Sequence, residues 1–356
     1  MIALLIAAAV AFGVSVLLTP VLMKILRRKE LGQHIRDDGP IVHPHAAKAG
    51  TPTMGGIAII VGALIGYFLS HTRTGFVFGR GTLVIVFLLV GMAIVGLCDD
   101  YLGLVKKRNL GLRKRGKIVG QLLVAGTFSY LAVEFVNLPT TISLGRKLGF
   151  MGVESVSLPT WVYVGVCTFI IISASNAVNI TDGLDGLAAG SAILVFSVYT
   201  VMSYWQFRNP SIYAPDIASY GPNSLDRAVL CAAITGACAG FLWWNAAPAQ
   251  IFMGDVGSLA LGGAMAGVAI ATKTELLLIV IGGIYVIETL SVIAQMISYR
   301  GFKKRVLKMA PLHHHFEVLG WPETTVIVRF WLLSGVCAAM GLGIFYASFV
   351  RAGFVV

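Results

Sequence analysis

Long uninterrupted apolar runs dominate this chain and limit the folds that it can adopt. Ten such runs lie at 2–23, 53–70, 82–98, 118–136, 159–178, 187–205, 226–244, 258–272, 276–298 and 326–350. A helix needs about 20 apolar residues to cross the hydrocarbon core of a bilayer. Continuous runs also differ from the alternating pattern of a membrane β-barrel. The sequence therefore predicts an all-α, polytopic membrane protein with about ten transmembrane helices.

The composition supports this fold class and excludes several others. Of the 356 residues, 57% are hydrophobic and 12% are charged, whereas a soluble domain has about 25% charged residues. A soluble enzyme, a disordered chain and a disulfide-stapled secreted domain are thereby excluded. The five cysteines lie in or at the ends of apolar runs without a C-x-x-C pair, which predicts reduced core residues. No linker or repeat divides the sequence, so we expect one domain over 1–356.

The basic residues predict which loops share a side of the membrane. With the N-terminus outside, the inner segments hold 19 of the 27 Lys and Arg residues, counting Arg329 at the edge of the last run, and the outer side holds 8. Basic residues concentrate in cytoplasmic loops, so both termini are predicted to lie outside. The net charge of +11 then reflects membrane topology, and no nucleic acid partner is expected.

The acidic residues indicate a functional site on the inner face. Ten of the sixteen fall on this side, and two of its loops, 179–186 and 245–257, contain aspartates but no Lys or Arg. Clustered carboxylates at a membrane end are costly unless a divalent cation or more distant basic groups offset them. We therefore expect an active cleft on the cytoplasmic face. The aspartates gathered there are Asp99, Asp100, Asp182, Asp185 and Asp255.

Two of the acidic motifs follow apolar runs. Asp99 and Asp100 end the third run; adjacent residues on a helix point about 100° apart, so the two carboxylates need not serve the same atom. A polar stop to the span is the alternative.

Asn179, Asp182 and Asp185 are spaced i, i+3, i+6, and this spacing can direct all three side chains to one place if the segment is helical. A solvated turn is the alternative there.

Two further motifs lie later in the chain. Asn245 precedes the segment 248–258, in which Asp255 stands between glycines at a predicted helix start; this pattern is typical of a phosphate or Mg²⁺ site, and a helix N-cap is the alternative. The last motif contains three consecutive histidines, His313, His314 and His315. Consecutive residues cannot all face one metal, so we expect phosphate contacts or proton carriers rather than zinc ligands.

Two function classes fit these residues. Lys117 at a membrane boundary is a candidate phosphate contact, and the inner face as a whole suits Mg²⁺-dependent transfer between a soluble phosphate compound and a lipid phosphate. An ion-coupled transporter is the alternative. Transporters place charged groups near the bilayer midplane, whereas here only Glu288 lies deep inside an apolar run. The sequence favours the transferase.

At these motifs the chain resembles the polyprenyl-phosphate N-acetylhexosamine-1-phosphate transferases. The matching stretches are GTPTMGG (50–56), LCDDYLGL (97–104), SNAVNITDGLDGLA (175–188), NAAPAQIFMGDVGSLALGG (245–263) and APLHHHFEVLGWPETTVIVRFW (310–331). The DD pair and the N-x-x-D-G-x-D-G pattern are similar to the whole superfamily. The PAQIFMGDVGS run and the His triplet with GWPE resemble its phospho-N-acetylmuramoyl-pentapeptide transferase branch.

The resemblance implies a reaction and a set of site residues. The reaction is Mg²⁺-dependent transfer of phospho-MurNAc-pentapeptide from UDP-MurNAc-pentapeptide to undecaprenyl phosphate, giving lipid I and UMP in the bacterial inner membrane. The implied catalytic residues are Asp99, Asp100, Asp255, His313, His314 and His315, with Asp255 also the magnesium ligand. The implied substrate-binding residues are Lys48, Lys117, Asn179, Asp182, Asp185 and Asn245.

Some alternatives stay open at the level of sequence. The donor of a polyprenyl-phosphate GlcNAc-1-phosphate transferase is the alternative substrate. Direct attack by the lipid phosphate and an aspartyl-phosphate intermediate are both compatible with the motifs. A homo-oligomer in the lipid bilayer is possible, and the individual roles of the three histidines and of Glu288 are undetermined.

Overall fold

A computed structural model describes residues 1–28, 50–74, 77–105, 111–142, 156–210 and 221–351. The predicted substrate residue Lys48 lies outside these ranges. The helices, in chain order, are α1 (Ile2–Arg28), α2 (Gly56–Thr74), α3 (Arg80–Val105), α4 (Lys114–Glu134), α5 (Thr160–Thr181), α6 (Leu187–Arg208), α7 (Gly221–Asn245), α8 (Gly254–Ala271), α9 (Leu278–Ile281), α10 (Gly283–Phe302), α11 (Leu312–Val318) and α12 (Glu323–Arg351). Two short strands, β1 (Thr141–Ile142) and β2 (Val156–Ser157), pair antiparallel with Thr141 opposite Ser157.

The helices follow the apolar runs of the sequence. Eight of the described helices are long and apolar enough to cross a membrane, namely α1, α3, α4, α5, α6, α7, α8 and α12. The second run forms a shorter apolar helix over Gly56–Thr72. The ninth run divides at Gly282 into α9 and α10. The predicted all-α, multi-pass membrane architecture is confirmed.

Helix α8 forms the centre of the described bundle. Every residue from Val256 to Ala271 is buried, and α8 packs against α3, α5 and α2. Its many glycines and alanines let neighbouring helices approach closely. A Cβ atom on Gly96 of α3 would overlap the backbone of Asp255. The end of α3 is therefore held directly against the start of α8.

Glycine pairs bring other helices into contact. A Cβ on Gly62 or Gly66 of α2 would crowd the backbone of α1, and a Cβ on Gly236 or Gly240 of α7 would do the same. These small-xxx-small pairs therefore serve helix packing. The outer faces of the helices expose large apolar side chains such as Leu17 and Phe169, which a lipid bilayer covers.

The cysteines and one ion pair complete the description of the core. All five cysteines are free, as predicted, but Cys98 is exposed rather than buried. At the end of α8 away from Asp255, the Lys273 Nζ lies 2.7 Å from both Glu275 Oε1 and the Tyr163 hydroxyl oxygen. Lys273 and Glu275 are almost completely buried. This ion pair joins the start of α5 to the segment between α8 and α9.

Candidate active site

Four chain segments meet around the first turn of α8. The ends of α3 and α5 contribute Asp99, Asp100 and Asn179, and the starts of α4 and α8 contribute Lys117 and Asp255. Consecutive membrane-spanning helices run in opposite directions, so the C-terminal ends of α3 and α5 lie on the same side as the N-terminal ends of α4 and α8. Polar residues distant in the sequence are thereby collected at one end of the bundle.

The Asp255 carboxylate is the centre of this cluster. Its Oδ2 accepts a hydrogen bond from the Lys117 ammonium, and its Oδ1 lies 2.6 Å from the Asn179 Nδ2 donor. Asn179 Nδ2 also donates to Ser258 Oγ at 2.9 Å, which fixes the direction of the amide. The side chains of Lys117 and Asp255 remain about one-fifth exposed, at 20% and 19%. The cluster is therefore held in place and still reachable from solvent.

The Asp100 carboxylate caps the helix that begins with Asp255. Its Oδ1 accepts from the backbone N–H of Asp255 and its Oδ2 from that of Val256, each at 3.1 Å. An anionic acceptor at a helix N-terminus satisfies free N–H groups and interacts favourably with the helix dipole. Gly254 has φ +74°, and a side chain there would overlap Asp100. The capping role that was the alternative for Asp255 belongs to Asp100.

Asp99 contacts different groups from its neighbour. Its Oδ1 accepts from the backbone N–H of Leu112 at 2.9 Å, and its Oδ2 lies 3.9 Å from Lys117 Nζ. The adjacent carboxylates of Asp99 and Asp100 therefore accept hydrogen bonds from different atoms, which the separation of about 100° between adjacent helical residues allows.

The segment from Asn179 to Asp185 is helical only in part. Helix α5 ends at Thr181, so the i, i+3, i+6 spacing does not place the three polar side chains on one helical face. Asp182 follows the helix, and burial raises the pKa of its carboxyl well above the usual range, with repulsion from Asp255 raising it further. The backbone N–H of Gly254 opposes this shift. Asp182 thus lies beside the Asp255 cluster.

Asp185 and Asn245 are buried and hold the loop before α8. Asp185 Oδ2 accepts from the backbone N–H of Ala249 at 2.8 Å, and its own N–H donates to Glu323 Oε1 at 3.1 Å. Asn245 Nδ2 donates to the carbonyl of Ile251 at 2.9 Å. The contacts of these two predicted substrate residues therefore shape the loop that leads to Asp255.

Each histidine of the triplet has a different environment. His313 is completely buried, with Nδ1 3.1 Å from Glu288 Oε2. His314 Nδ1 lies 2.6 Å from Glu317 Oε2. His315 Nδ1 accepts a hydrogen bond from the backbone N–H of Lys308 at 3.1 Å. The three rings therefore lie against three different groups.

The donor set around Asp255 fits a magnesium ion that also binds phosphate. Within the described residues, no group of three His, Cys, Asp or Glu side chains is arranged to hold a metal. Mg²⁺ usually takes one or two protein carboxylates and completes its coordination with waters and substrate phosphates. Asp255 is a partly exposed carboxylate, with 19% of its side chain accessible, so it meets this requirement.

Comparison with known proteins identifies the family. A sequence model described as glycosyl transferase family 4 matches residues 82–273, and phospho-N-acetylmuramoyl-pentapeptide-transferase signature 1 matches residues 48–60. A phospho-N-acetylmuramoyl-pentapeptide-transferase of Frankia casuarinae is 51% identical, over 98% of both chains. The chain belongs to the phospho-N-acetylmuramoyl-pentapeptide transferase family. It is a transferase enzyme. Relatives of the same name from Mycobacteroides abscessus and Streptomyces griseus are 47% and 45% identical, over 98% and 97% of this chain and 98% of each relative.

The family matches cover most of the predicted site residues. The region 82–273 includes the whole Asp255 cluster, and the signature at 48–60 includes Lys48. Sequence reasoning did not single out Ser258 or Glu323, which orient Asn179 and Asp185 in the structure. Both lie inside motifs that the sequence displayed, GDVGS and GWPE. Their position within those motifs was the available signal.

Proposed function

We propose that this transferase moves phospho-MurNAc-pentapeptide from UDP-MurNAc-pentapeptide to undecaprenyl phosphate, forming lipid I and releasing UMP. The observation that carries the proposal is the contact of Lys117 and Asn179 with the Asp255 carboxylate at one end of a membrane bundle. A site of this composition suits phosphates, because it joins a cation to a carboxylate that can bind Mg²⁺. The names of the relatives support the choice of donor.

The proposed transfer depends mainly on positioning the donor and the acceptor and on neutralising the charge of their phosphates. The transfer breaks one pyrophosphate bond and makes another, so it is nearly isoenergetic and needs no ATP. A phosphate monoester acceptor has a second pKa of about 6 and is mostly dianionic at pH 7, so a strong general base is less necessary than for a hydroxyl acceptor. Phosphoryl transfer of this kind depends on aligned groups and electrostatic stabilisation.

The residues of the cluster have separate roles in this proposal. Asp255 is the magnesium ligand, and the bound ion would neutralise charge on the donor pyrophosphate. Asn179 fixes the orientation of the Asp255 carboxylate, and Lys117 supplies a positive charge for phosphate oxygens. We place Asp99 and Asp100 in the catalytic group with Asp255. The remaining proposed residues are His313, His314 and His315 in catalysis and Lys48, Asp182, Asp185 and Asn245 in substrate binding.

The proposed orientation follows from the charge distribution. Both termini lie outside and the cluster faces the cytoplasm, since 19 of the 27 basic residues fall on the side of Lys117. We place the protein in the bacterial inner membrane as a single domain over 1–356. In that orientation the cluster faces the compartment that contains a soluble UDP-linked donor, and the acceptor phosphate reaches it from the bilayer.

The test uses purified protein in detergent or lipid nanodiscs. Incubation with UDP-MurNAc-pentapeptide, undecaprenyl phosphate and Mg²⁺ is expected to release UMP, and removal of Mg²⁺ with EDTA is expected to stop the release. Substitution of UDP-GlcNAc as the donor tests the alternative transferase. Turnover with UDP-GlcNAc but not with the muramoyl donor would reject the proposed substrate.

A further inference from the structure

Glu288 is a buried carboxylate outside the Asp255 cluster. It lies in α10 and is completely inaccessible to solvent. Its Oε2 accepts the backbone N–H of Leu312 at 2.9 Å and lies 3.1 Å from His313 Nδ1. Among the described residues, no partner is found for its Oε1. Glu288 therefore directs one oxygen at the start of the histidine segment.

Stability alone does not explain an acidic residue at this position. A carboxylate removed from water loses several kcal/mol of hydration, and an apolar side chain of the same size is often the more stable choice. Buried ionisable groups in membrane segments commonly have functional roles. Glu288 joins α10 to α11 through a single carboxylate oxygen, so its contact with the imidazole is the feature to explain.

A carboxylate beside an imidazole nitrogen orients the ring. When the carboxylate accepts from one ring N–H, the tautomer is set and the other nitrogen is left free of hydrogen. The Glu288 Oε2 lies 3.1 Å from His313 Nδ1, which is an ion-pair distance, but the two atoms are not aligned as a hydrogen bond. No described residue forms a hydrogen bond with His313 Nε2. Glu288 is the acidic side chain that lies against the His313 ring in the described structure.

The opposite edge of the His313 ring lies against the candidate site. A Cβ atom on Gly183 would overlap His313 Nε2, so the ring edge packs directly on the Gly183 backbone. Gly183 follows Asp182 in the turn between α5 and α6, and its outer side is exposed. The buried His313 ring therefore packs against the inner side of this turn.

We propose that Glu288 is a positioning residue, whose carboxylate holds His313 against Gly183 and thereby sets the turn that carries Asp182 and Asp185. The inference rests on the proposed function, because the turn then forms part of the donor site. Glu288 acts through His313 and contacts no substrate. Its removal should affect the donor, which binds near this turn, more than the lipid acceptor.

The test combines Glu288→Gln, His313→Asn and the double variant. Glu288→Gln keeps the shape and one acceptor oxygen but removes the charge. Loss of a charged interaction of this kind, which Glu288 Oε2 makes with the Leu312 N–H and the His313 ring, corresponds to roughly tenfold to hundredfold, so we expect kcat/KM for the donor to fall about tenfold or more. The KM for undecaprenyl phosphate and the Tm should stay at wild-type values. UMP affinity, measured by calorimetry without turnover, should fall in parallel.

The double variant separates positioning from a general structural effect. If Glu288 acts through His313, the double variant should lose no more than His313→Asn alone, because residues that share one interaction are not additive. The matched control is Glu275→Gln, which alters another buried glutamate at the far end of α8 and should leave donor kinetics unchanged.

The outcomes distinguish the inference from the function on which it rests. Additive losses in the double variant, or wild-type donor kinetics in both Glu288→Gln and His313→Asn, would overturn the positioning role alone. A wild-type enzyme that releases no UMP from either UDP donor would overturn the proposed function and the inference together. If Glu288→Gln fails to fold, Glu288→Asp takes its place: the shorter carboxylate should raise the donor KM and weaken UMP binding, and wild-type donor kinetics in a folded Glu288→Asp protein would overturn the inference.

Discussion

The carboxylate of Asp100 caps the helix that presents Asp255. The backbone N–H groups of Asp255 and Val256 each donate to Asp100 at 3.1 Å, while the Asp255 side chain turns toward Lys117 and Asn179. The two aspartates are 155 positions apart in the chain. Asp100 fixes the start of α8, and Asp255 is the residue that we propose as the magnesium ligand.

Asn and Ala substitutions at Asp100 should give different results. Asn caps a helix about as well as Asp, so Asp100→Asn should keep a wild-type Tm while its turnover falls, since the charge is lost. Asp100→Ala should lower the free energy of unfolding as well, by about 1 kcal/mol for the lost cap. Thermal unfolding and UMP release measure the two effects. Wild-type turnover in Asp100→Asn would leave Asp100 with the capping role alone.

Asp255→Asn should abolish most turnover in a folded protein. Asn keeps the size and one oxygen but removes the negative charge that Mg²⁺ and Lys117 share. We expect at least a tenfold loss of rate and a higher Mg²⁺ concentration at half-maximal activity. The control is Glu134→Gln, an exposed charge removal at the far end of α4, which should have no effect. Unchanged Mg²⁺ dependence in Asp255→Asn would contradict the proposed ligand.

Lys117→Met should reduce turnover far more than Lys114→Met. Both residues lie in the first turns of α4, but Lys114 is exposed, whereas Lys117 contacts Asp255 and lies 3.9 Å from Asp99. Loss of this partly buried charge contact should reduce kcat/KM roughly tenfold to hundredfold. Steady-state kinetics of both variants check this. Equal, small losses of kcat/KM in the two variants would mean that Lys117 contributes to membrane topology and not to turnover.

Lys273→Met should destabilise the protein without changing the site. The substitution leaves Glu275 buried beside the Tyr163 hydroxyl without a cation. Removal of one partner from a buried ion pair lowers the free energy of unfolding by about 3–5 kcal/mol. Chemical unfolding in micelles should show this loss. The double variant Lys273→Met with Glu275→Leu should recover most of it, because no unpaired charge remains. A double variant as unstable as the single one would contradict this account.

Cysteine labelling should locate the site on the cytoplasmic side. Cys98 is the exposed cysteine among the described positions, so a Cys98→Ser protein provides the background. Arg113→Cys, exposed just before α4, should react only from the cytoplasm, and Trp161→Cys, exposed at the start of α5, only from outside. Labelling of Arg113→Cys from outside alone would reject the proposed topology.

Much of the fold could be predicted because the local sequence of an apolar run is enough to predict a membrane helix. A run such as 159–178 must satisfy its backbone hydrogen bonds within itself, so its apolar length predicts a helix, and α5 is found there. The break in the ninth run at Gly282 could not be predicted in the same way. The break falls at the adjacent residues Gly282 and Gly283, and because glycine is frequent in membrane helices, the pair alone did not predict that the helix divides.

The sequence by itself determined which residue types stand at the ends of the helices, and hence that carboxylates, Asn179 and Lys117 would gather at one end of the bundle. Only the tertiary structure decided which atoms meet. The hydrogen bond of Asn179 with Asp255 spans 76 positions, and that of Lys117 with Asp255 spans 138. Such contacts depend on the rotation and depth of each helix against its neighbours, which close packing at small residues sets. A local pattern contains no information about that rotation, so the capping role of Asp100 and the contact of Glu288 with His313 emerged only from the packed helices.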